Sequence, residues 1–203
     1  EPGSGRVAIE GLELPRDALA VKRRIGYVPE AAELYETLSA HEFLALAGRL
    51  HDLEDAVLLP RIDALFGAFD LLDHAHGRLA TFSTGMRQKV LVAAALVHDP
   101  AVVFLDEPLT GLDVESAVLV KTLLAALAAR GRTILYSSHV LDVVERLCTR
   151  VLIVDKGSLV ADGSPEALKA RTRGTSLEAV FQDLTHADRV EPRVERILDG
   201  LGA

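Results

Sequence analysis

The sequence predicts an α/β protein built on a mostly parallel sheet with helices packed against it. A short unbroken β-branched and aromatic run stands at Val102–Leu105 (VVFL), Thr133–Ser137 (TILYS) reads as another short buried strand, and Arg24–Glu30 (RIGYVPE) as a short strand ending at Pro29. Such runs suit strands buried on both faces. Long apolar helical patterns sit among them, at Thr84–His98 and Val114–Arg130. The run at Val102 leads directly into two adjacent carboxylates, Asp106 and Glu107, and then Pro108, which cannot donate to a ladder and ends the strand. In open α/β sheets, ligands gather outside the carboxyl ends of the strands. The carboxylates are therefore expected at that edge, where a hard cation such as Mg²⁺ would find oxygen ligands beside a phosphate chain. Read without their surroundings, they are equally a solvated loop rim.

The first elements form an edge. Arg6–Leu14 (RVAIEGLEL) alternates apolar and polar around Gly11, the pattern of a hairpin. Lys22–Arg24 reads as a solvated approach to the next strand. Ser39 and Glu42 have capping-box spacing. The helix behind them, Ala40 to His51, aligns Phe43, Leu46, Ala47 and Leu50 as one apolar face. A second helix is expected over Leu59–Leu72, with Ile62, Leu65, Phe66 and Phe69 in line. His74 and His76 have no further ligand nearby in sequence and read as surface residues.

Ser83 is a good N-cap for the helix from Thr84, whose free N–H groups and positive end would face an anion. Gly85 lets a backbone approach a ligand closely. Asp113 can cap the helix from Val114, and Gly131 ends it. His139 follows the TILYS strand. Arg150–Asp162 reads as a hairpin turning at Lys156-Gly157, Ser164-Pro165 as an N-cap and N1 pair, and Thr175–Leu184 as a last helix. His186–Ala203 is charged with scattered Val, Ile and Leu and suits a short amphipathic helix.

Composition excludes several classes. Of 203 residues, 49% are hydrophobic, enough for one large domain or a domain with a subdomain. The formal net charge is −8 and no basic patch interleaves with aromatics, so no nucleic-acid partner is expected. Cys148 is the one cysteine; it lies in an apolar run and reads as an inert thiol, and no internal disulfide frame is available. The longest apolar stretch, Val90–Val97, falls far short of the ~20 residues that span a bilayer.

Three stretches together, Thr81–Val90 (TFSTGMRQKV), Ala101–Asp113 (AVVFLDEPLTGLD) and Ser137–His139 (SSH), resemble the ATP-binding cassette (ABC) ATPases, and within them the subunits that serve export permeases. The resemblance runs from about residue 5 to about residue 185. It implies a P-loop NTPase-like α/β fold, with a nucleotide-binding core over 1–38 and 99–174, a helical signature subdomain over 39–98, and a helical tail over 175–203. It implies ATP and Mg²⁺ as cofactors. Glu107 would orient or deprotonate water, Asp106 would hold Mg²⁺, and His139 would hold the γ-phosphate. Ser83, Thr84, Gly85 and Met86 would close the site of a second ATPase subunit. Asp113 would lie in the loop coupling the two sites, although a plain N-cap explains it equally.

The resemblance also implies transmembrane permease partners, met in part through Leu34–Leu38, and a cytoplasmic location at the inner face of the membrane through that permease. Glu30 stands where the family carries a Gln that reaches toward Mg²⁺ and water; it is also readable as an exposed loop acid. Against the family's LSGGQ, this chain has Phe82-Ser83-Thr84-Gly85-Met86, with Thr84 for a glycine and Met86 for the glutamine. No G-x-x-x-x-G-K-[ST] phosphate loop occurs anywhere. With no initiator Met and an abrupt start at Gly3-Ser4-Gly5, the expectation is a longer polypeptide whose first segment, with its strands and phosphate-loop helix, is absent. Two other classes fit the same motifs: a soluble cassette ATPase without a permease, and a non-catalytic remnant acting as an interaction module.

Overall fold

A computed structural model of the chain describes residues 3–30, 34–172, 174–185 and 191–201. They fall into two units that divide between Ser137 and Ser138.

The first unit opens with the antiparallel hairpin β1 (Val7–Ile9) and β2 (Leu12–Leu14), turning through Glu10 and Gly11 at φ 53° and 76°. Two successive left-handed residues match the twist of a two-residue hairpin. After the short helix α1 (Ala18–Lys22) comes a three-stranded parallel sheet in the order β3 (Ile25–Val28), β4 (Val102–Asp106), β5 (Thr133–Ser137). Parallel neighbours require crossovers. Between β3 and β4 run α2 (Ala40–Leu50), α3 (Asp55–Ala68) and α4 (Thr84–Leu96); between β4 and β5 runs α5 (Val114–Ala129). Register pairs Tyr27 with Phe104 and Phe104 with Leu135, and Asp106 with Ser137.

One face of this sheet carries Gly26, Val28, Val103 and Leu105. Gly26 is needed there: a Cβ would lie 2.2 Å from the Ala95 carbonyl oxygen of α4. The other face carries the row Tyr27, Phe104 and Leu135, with Tyr27 59% and Leu135 44% exposed. The expectation that Thr133–Ser137 is a buried strand is therefore corrected. Among the described strands β5 has one neighbour, and its Thr133, Leu135 and Ser137 side faces solvent.

The helices correct two further expectations. The capping box of α2 is present: Ser39 Oγ accepts from Glu42 N at 3.1 Å, and the Glu42 carboxylate accepts from Ser39 N at 2.8 Å. Its buried face, however, is Ala40, Leu44, Ala45 and Gly48, while Leu46 and Leu50 of the expected stripe stand out. Gly48 decides this, because the buried Leu58 of α3 occupies the space its Cβ would need. Helix α3 starts at Asp55 rather than Leu59, carries Pro60 inside it, and ends at Ala68 rather than running to Leu72. Asp70 turns left-handed just after it. Leu58, Ile62, Phe66, Phe69, Leu71 and Leu79 make the core beneath α2 and α4.

The second unit holds α6 (Leu141–Leu147), the hairpin β6 (Val151–Asp155) and β7 (Ser158–Gly163), α7 (Pro165–Thr172), α8 (Leu177–Thr185) and α9 (Glu191–Leu201). The hairpin turns at Lys156 and Gly157, both left-handed. Glu145 of α6 ties this unit together: it accepts from Lys169 Nζ of α7 at 2.6 Å and caps α8 by accepting from Leu177 N at 2.9 Å. Those donors, Lys169 first, hold its carboxyl below the usual range. Cys148 is partly buried, and desolvation pushes its thiol up, away from the reactive thiolate. The expected amphipathic segment 186–203 falls partly outside the described residues; within it, α9 exposes Val194, Ile197, Leu198 and Leu201.

Candidate functional site

Asp106 is the last residue of the central strand β4, and it pairs in register with Ser137, the last of β5. An open depression of about 310 Å³ lies at this end of the sheet, lined by Tyr27, Phe104, Leu135 and Tyr136 with Asp106 and Ser137. Glu107 follows in a left-handed conformation, φ 46°, while its N–H donates to the Ser137 carbonyl at 3.0 Å. The ladder thus extends one bond beyond the strand while the chain turns away. A non-glycine residue held at positive φ is costly unless its surroundings impose it. Here the bond to the Ser137 carbonyl does so, although a following proline itself favours extended backbone at this position. Two tight turns complete the loop, Thr110 N to Glu107 O at 3.1 Å and Leu112 N to Leu109 O at 3.2 Å.

Ser83 is the N-cap of α4, its Oγ accepting from Met86 N at 3.2 Å. The cap leaves the Thr84 and Gly85 N–H groups outside the helical ladder, at the positive end of the dipole. This end of α4 lies against the turn after the carboxylates. A Cβ on Gly85 would sit 2.7 Å from the Gly111 carbonyl oxygen, and one on Gly111, itself at φ 76°, would meet the Thr84 methyl at 2.9 Å. The buried Gln88 side chain donates to the Pro108 carbonyl at 3.0 Å, and Lys89 Nζ stands 3.7 Å from Asp113 Oδ2.

Asp113 caps α5, accepting from Ser116 N at 2.8 Å and from Ser116 Oγ at 2.7 Å. Those two bonds, the backbone one first and with Lys89 adding to them, hold its carboxyl below the ordinary range. Arg87 points the other way. It donates to the Phe82 and Ala80 carbonyls and to Glu36, so it braces the loop before Ser83 against the segment 34–38.

The first unit therefore brings together Ser83, Thr84, Gly85, Met86, Asp106, Glu107 and Asp113 around one loop contact. Glu30 is exposed just after β3 in the same unit. His139 belongs to the second unit, on the exposed segment before α6, where Ser138 Oγ accepts from Val140 N. Sequence reasoning passed over Gln88, although a polar residue in line with buried Val92 and Ala95 on α4 was a visible signal. The close approach at Gly85 in this structure is that of the Gly111 backbone. His74 and His76 are exposed, and among the described residues no group of three or more His, Cys, Asp or Glu side chains could hold a metal ion.

The sequence model of the family described as ABC transporter matches residues 1–110. The ABC transporter ATP-binding protein NatA of Bacillus subtilis (strain 168) is 35% identical over 182 residues, covering 89% of this chain and 74% of that protein. The chain belongs to the ABC transporter ATP-binding family. The daunorubicin resistance ATP-binding protein DrrA3 of Streptomyces coeruleorubidus is 36% identical over 182 residues, 90% of this chain and 58% of its own length. The Nod factor export ATP-binding protein I of Paraburkholderia xenovorans (strain LB400) is 34% identical over 197 residues, 96% of this chain and 65% of its own. The chain thus spans between 58% and 74% of these three relatives.

A solved structure titled as an ATP binding subunit of an ABC transporter superposes with a TM-score of 0.87 at 32% identity, over 91% of this chain and 78% of that one. The fold is accordingly the P-loop NTPase-like ABC cassette. No helix among the described residues is long and apolar enough to cross a membrane.

Proposed function

We propose that this ABC cassette is the ATP-hydrolysing subunit of an exporter and contributes half of each of two composite sites. One observation carries the reading. The carboxylates at the end of β4 and the capped end of α4 meet through the 108–113 loop, where the Gly111 backbone packs on Gly85 and Gln88 bonds the Pro108 carbonyl. In this reading Glu107 orients or deprotonates the attacking water, and His139 donates to the γ-phosphate. Ser83, Thr84, Gly85 and Met86 close over the nucleotide of a second ATPase subunit, homologous or identical. Asp113 keeps the intervening loop at the subunit boundary while capping α5, and Glu30 lines the site after β3.

Asp106 would hold Mg²⁺, in part through water. A carboxylate edge with a hydroxyl neighbour suits a hard cation that completes its shell with substrate phosphates, which is how Mg²⁺ is usually bound. When bound, the ion neutralises charge developing on the phosphates. The protein's own part is positioning and electrostatics: water adds to the γ-phosphorus, the bond to the ADP oxygen breaks, and Glu107 takes the water's proton.

Export through a separate permease, and a location at the inner face of the membrane, rest on the names of the relatives and on the exposed residues of the helical segment. Tyr35 in the segment 34–38, with Leu46 and Leu50 on α2, offers the apolar surface such a partner would cover. The phosphate loop supplies most of the grip on β- and γ-phosphates, and these 203 residues contain none. By itself this chain is expected neither to bind ATP tightly nor to turn it over.

Titrating Mg·ATP into the purified chain and into Glu107→Gln, with phosphate release measured alongside, tests this. No heat and no turnover in either is expected. Turnover in the chain well above Glu107→Gln would overturn the claim that the phosphate loop is required. The hydrolysis reading is tested by adding a phosphate-loop strand and helix from one of the relatives. Hydrolysis should then appear and be lost with Glu107→Gln, and its persistence in that variant would sink the assigned role.

A further inference from the structure

We infer that Gln88 is a positioning residue that locks the anion-facing end of α4 to the turn carrying Glu107, making them one mechanical body. This rests on the two-site reading above and deepens it. In that reading Ser83 serves the partner's nucleotide and Glu107 serves this subunit's own, so a rigid link between them couples the two sites within one chain.

The contact has the features of a clamp. Gln88 is 7% exposed, and its Nε2 donates to the Pro108 carbonyl at 3.0 Å. Pro108 is buried next to Glu107, and its carbonyl is the one that the flanking turn bonds, Thr110 to Glu107 and Leu112 to Leu109, leave over. A buried carbonyl without a donor costs more than the bond itself contributes. The opposite orientation of the amide would set oxygen against oxygen, so only the donating one serves.

Gln88 does not act by itself. Gly85, Gln88 and Lys89 are spaced i, i+3, i+4, hence on one face of α4. All three meet the same loop: Gly85 at the Gly111 carbonyl, Gln88 at Pro108, and Lys89 at Asp113. The glycine contact is steric and the lysine contact is long, so the amide is the one short directional bond in the set. A shift of α4 when Ser83 engages phosphate therefore reaches Pro108 first, and through it the left-handed Glu107.

Amide hydrogen exchange of the full 203-residue chain, without nucleotide, tests the clamp. In Gln88→Leu the amides of Glu107, Thr110 and Leu112, the donors of this loop, should exchange at least threefold faster than in the unsubstituted chain, while Leu168–Thr172 of the second unit should not change. Gln88→Glu gives a signature that packing alone would not produce. Ionised at pH 8, the carboxylate cannot donate and the same amides should speed up at least threefold. Protonated at pH 5.5, the carboxylic acid donates again and exchange should return to that of the unsubstituted chain at the same pH.

Acceleration below threefold in Gln88→Leu, equal acceleration across the whole first unit, or Gln88→Glu behaving alike at both pH values would each overturn the inference. If Gln88→Leu does not fold, the two-pH comparison of Gln88→Glu decides alone. Because no nucleotide is present, failure of the hydrolysis reading shows in the Mg·ATP experiment and leaves this result unaffected.

Discussion

The Gly111 carbonyl oxygen occupies the space that a Cβ on Gly85 would need, 2.7 Å from where it would stand. The obstacle is backbone, so Gly85→Ala must move either α4 or the loop, and overpacking of this kind costs about 1–3 kcal/mol. Gly67 is the control. It is helical in α3, and its Cβ would meet only the Leu72 methyl at an ordinary 3.6 Å. Gly67→Ala should leave stability unchanged or raise it by up to ~1 kcal/mol, the usual gain of Ala over Gly in a helix. The urea midpoint should fall in Gly85→Ala and hold or rise in Gly67→Ala. A Gly85→Ala midpoint at or above the original would show that the loop yields freely.

Glu107 holds a left-handed backbone conformation beside the end of β4. At φ 46° it occupies a region in which glycine is at ease. Both Glu107→Gly and Glu107→Ala remove the carboxylate, and only Ala keeps the Cβ, so Glu107→Gly should be the more stable of the two by about 0.5–1 kcal/mol. Equal stability of the two variants would mean that the backbone is at ease there with any side chain.

Ser83 can be tested as a cap apart from any nucleotide. Its Oγ satisfies the Met86 N–H, and losing such a cap costs about 0.5–2 kcal/mol. Ser83→Ala should show that loss in urea unfolding, and Ser83→Asp should recover most of it, because a carboxylate at an N-cap also suits the helix dipole. In the proposed site the same Ser83→Asp sets a negative charge against phosphate. Stability and nucleotide affinity should therefore part company in that one variant.

What the sequence disclosed and what it hid follow from which interactions are local. The capping box at Ser39 and Glu42, the turns at Glu10-Gly11 and Lys156-Gly157, and the caps at Ser83 and Asp113 depend on residues within four positions, and they were readable. So was β4, whose apolar run ends at Asp106. The α2 face was not. Periodicity marks large apolar residues, yet α2 packs through Ala45 and Gly48 because Leu58 approaches so closely. The exposure of β5 depends on which strands and helices cover it, and no stretch of TILYS carries that information. The Gln88 clamp joins residues twenty positions apart, so only the polar interruption of a buried stripe hinted at it.

The α2 assignment yields a sharp contrast. Leu44 is fully buried and Leu50 is 73% exposed, although both are leucines on one helix. Leu44→Ala should cost about 2–5 kcal/mol, as large-to-small changes in a packed core do. Leu50→Lys should stay within about 0.5 kcal/mol. Under the proposed function, Leu50→Lys should nevertheless weaken association with the permease. Strong destabilisation by Leu50→Lys would restore the stripe of Phe43, Leu46, Ala47 and Leu50 as the buried face.

His51 and His98 form a stacked pair in the first unit. Their rings stack with centroids 3.6 Å apart and planes 11° from parallel. His98 Nε2 bonds the Ile25 carbonyl at 2.9 Å, which fixes it as the donor, and neither Nδ1 has a partner among the described residues. Burial first, then the neighbouring His51, pushes His98 down from 6.5 to about 4; the Ile25 bond and Asp99 oppose this, and Arg61 adds to it. His51 is likewise lowered, by burial first, with Asp52 and Arg23 acting in opposite senses.

A base depressed in the folded state stays neutral there while the unfolded chain takes up a proton. Stability is therefore full above about pH 6.5, falls as the pH drops, and levels off near pH 4. With the His98 ring partly solvated, the swing is about 1–2 kcal/mol. Urea midpoints from pH 7.5 to pH 4 should trace this descent. His98→Gln, which keeps a donor for Ile25 but does not titrate, should flatten it. An unchanged slope in His98→Gln would place the acid sensitivity elsewhere, with the carboxylates of Asp113 and Glu145, whose lowered pKa values move their own losses to more acidic pH.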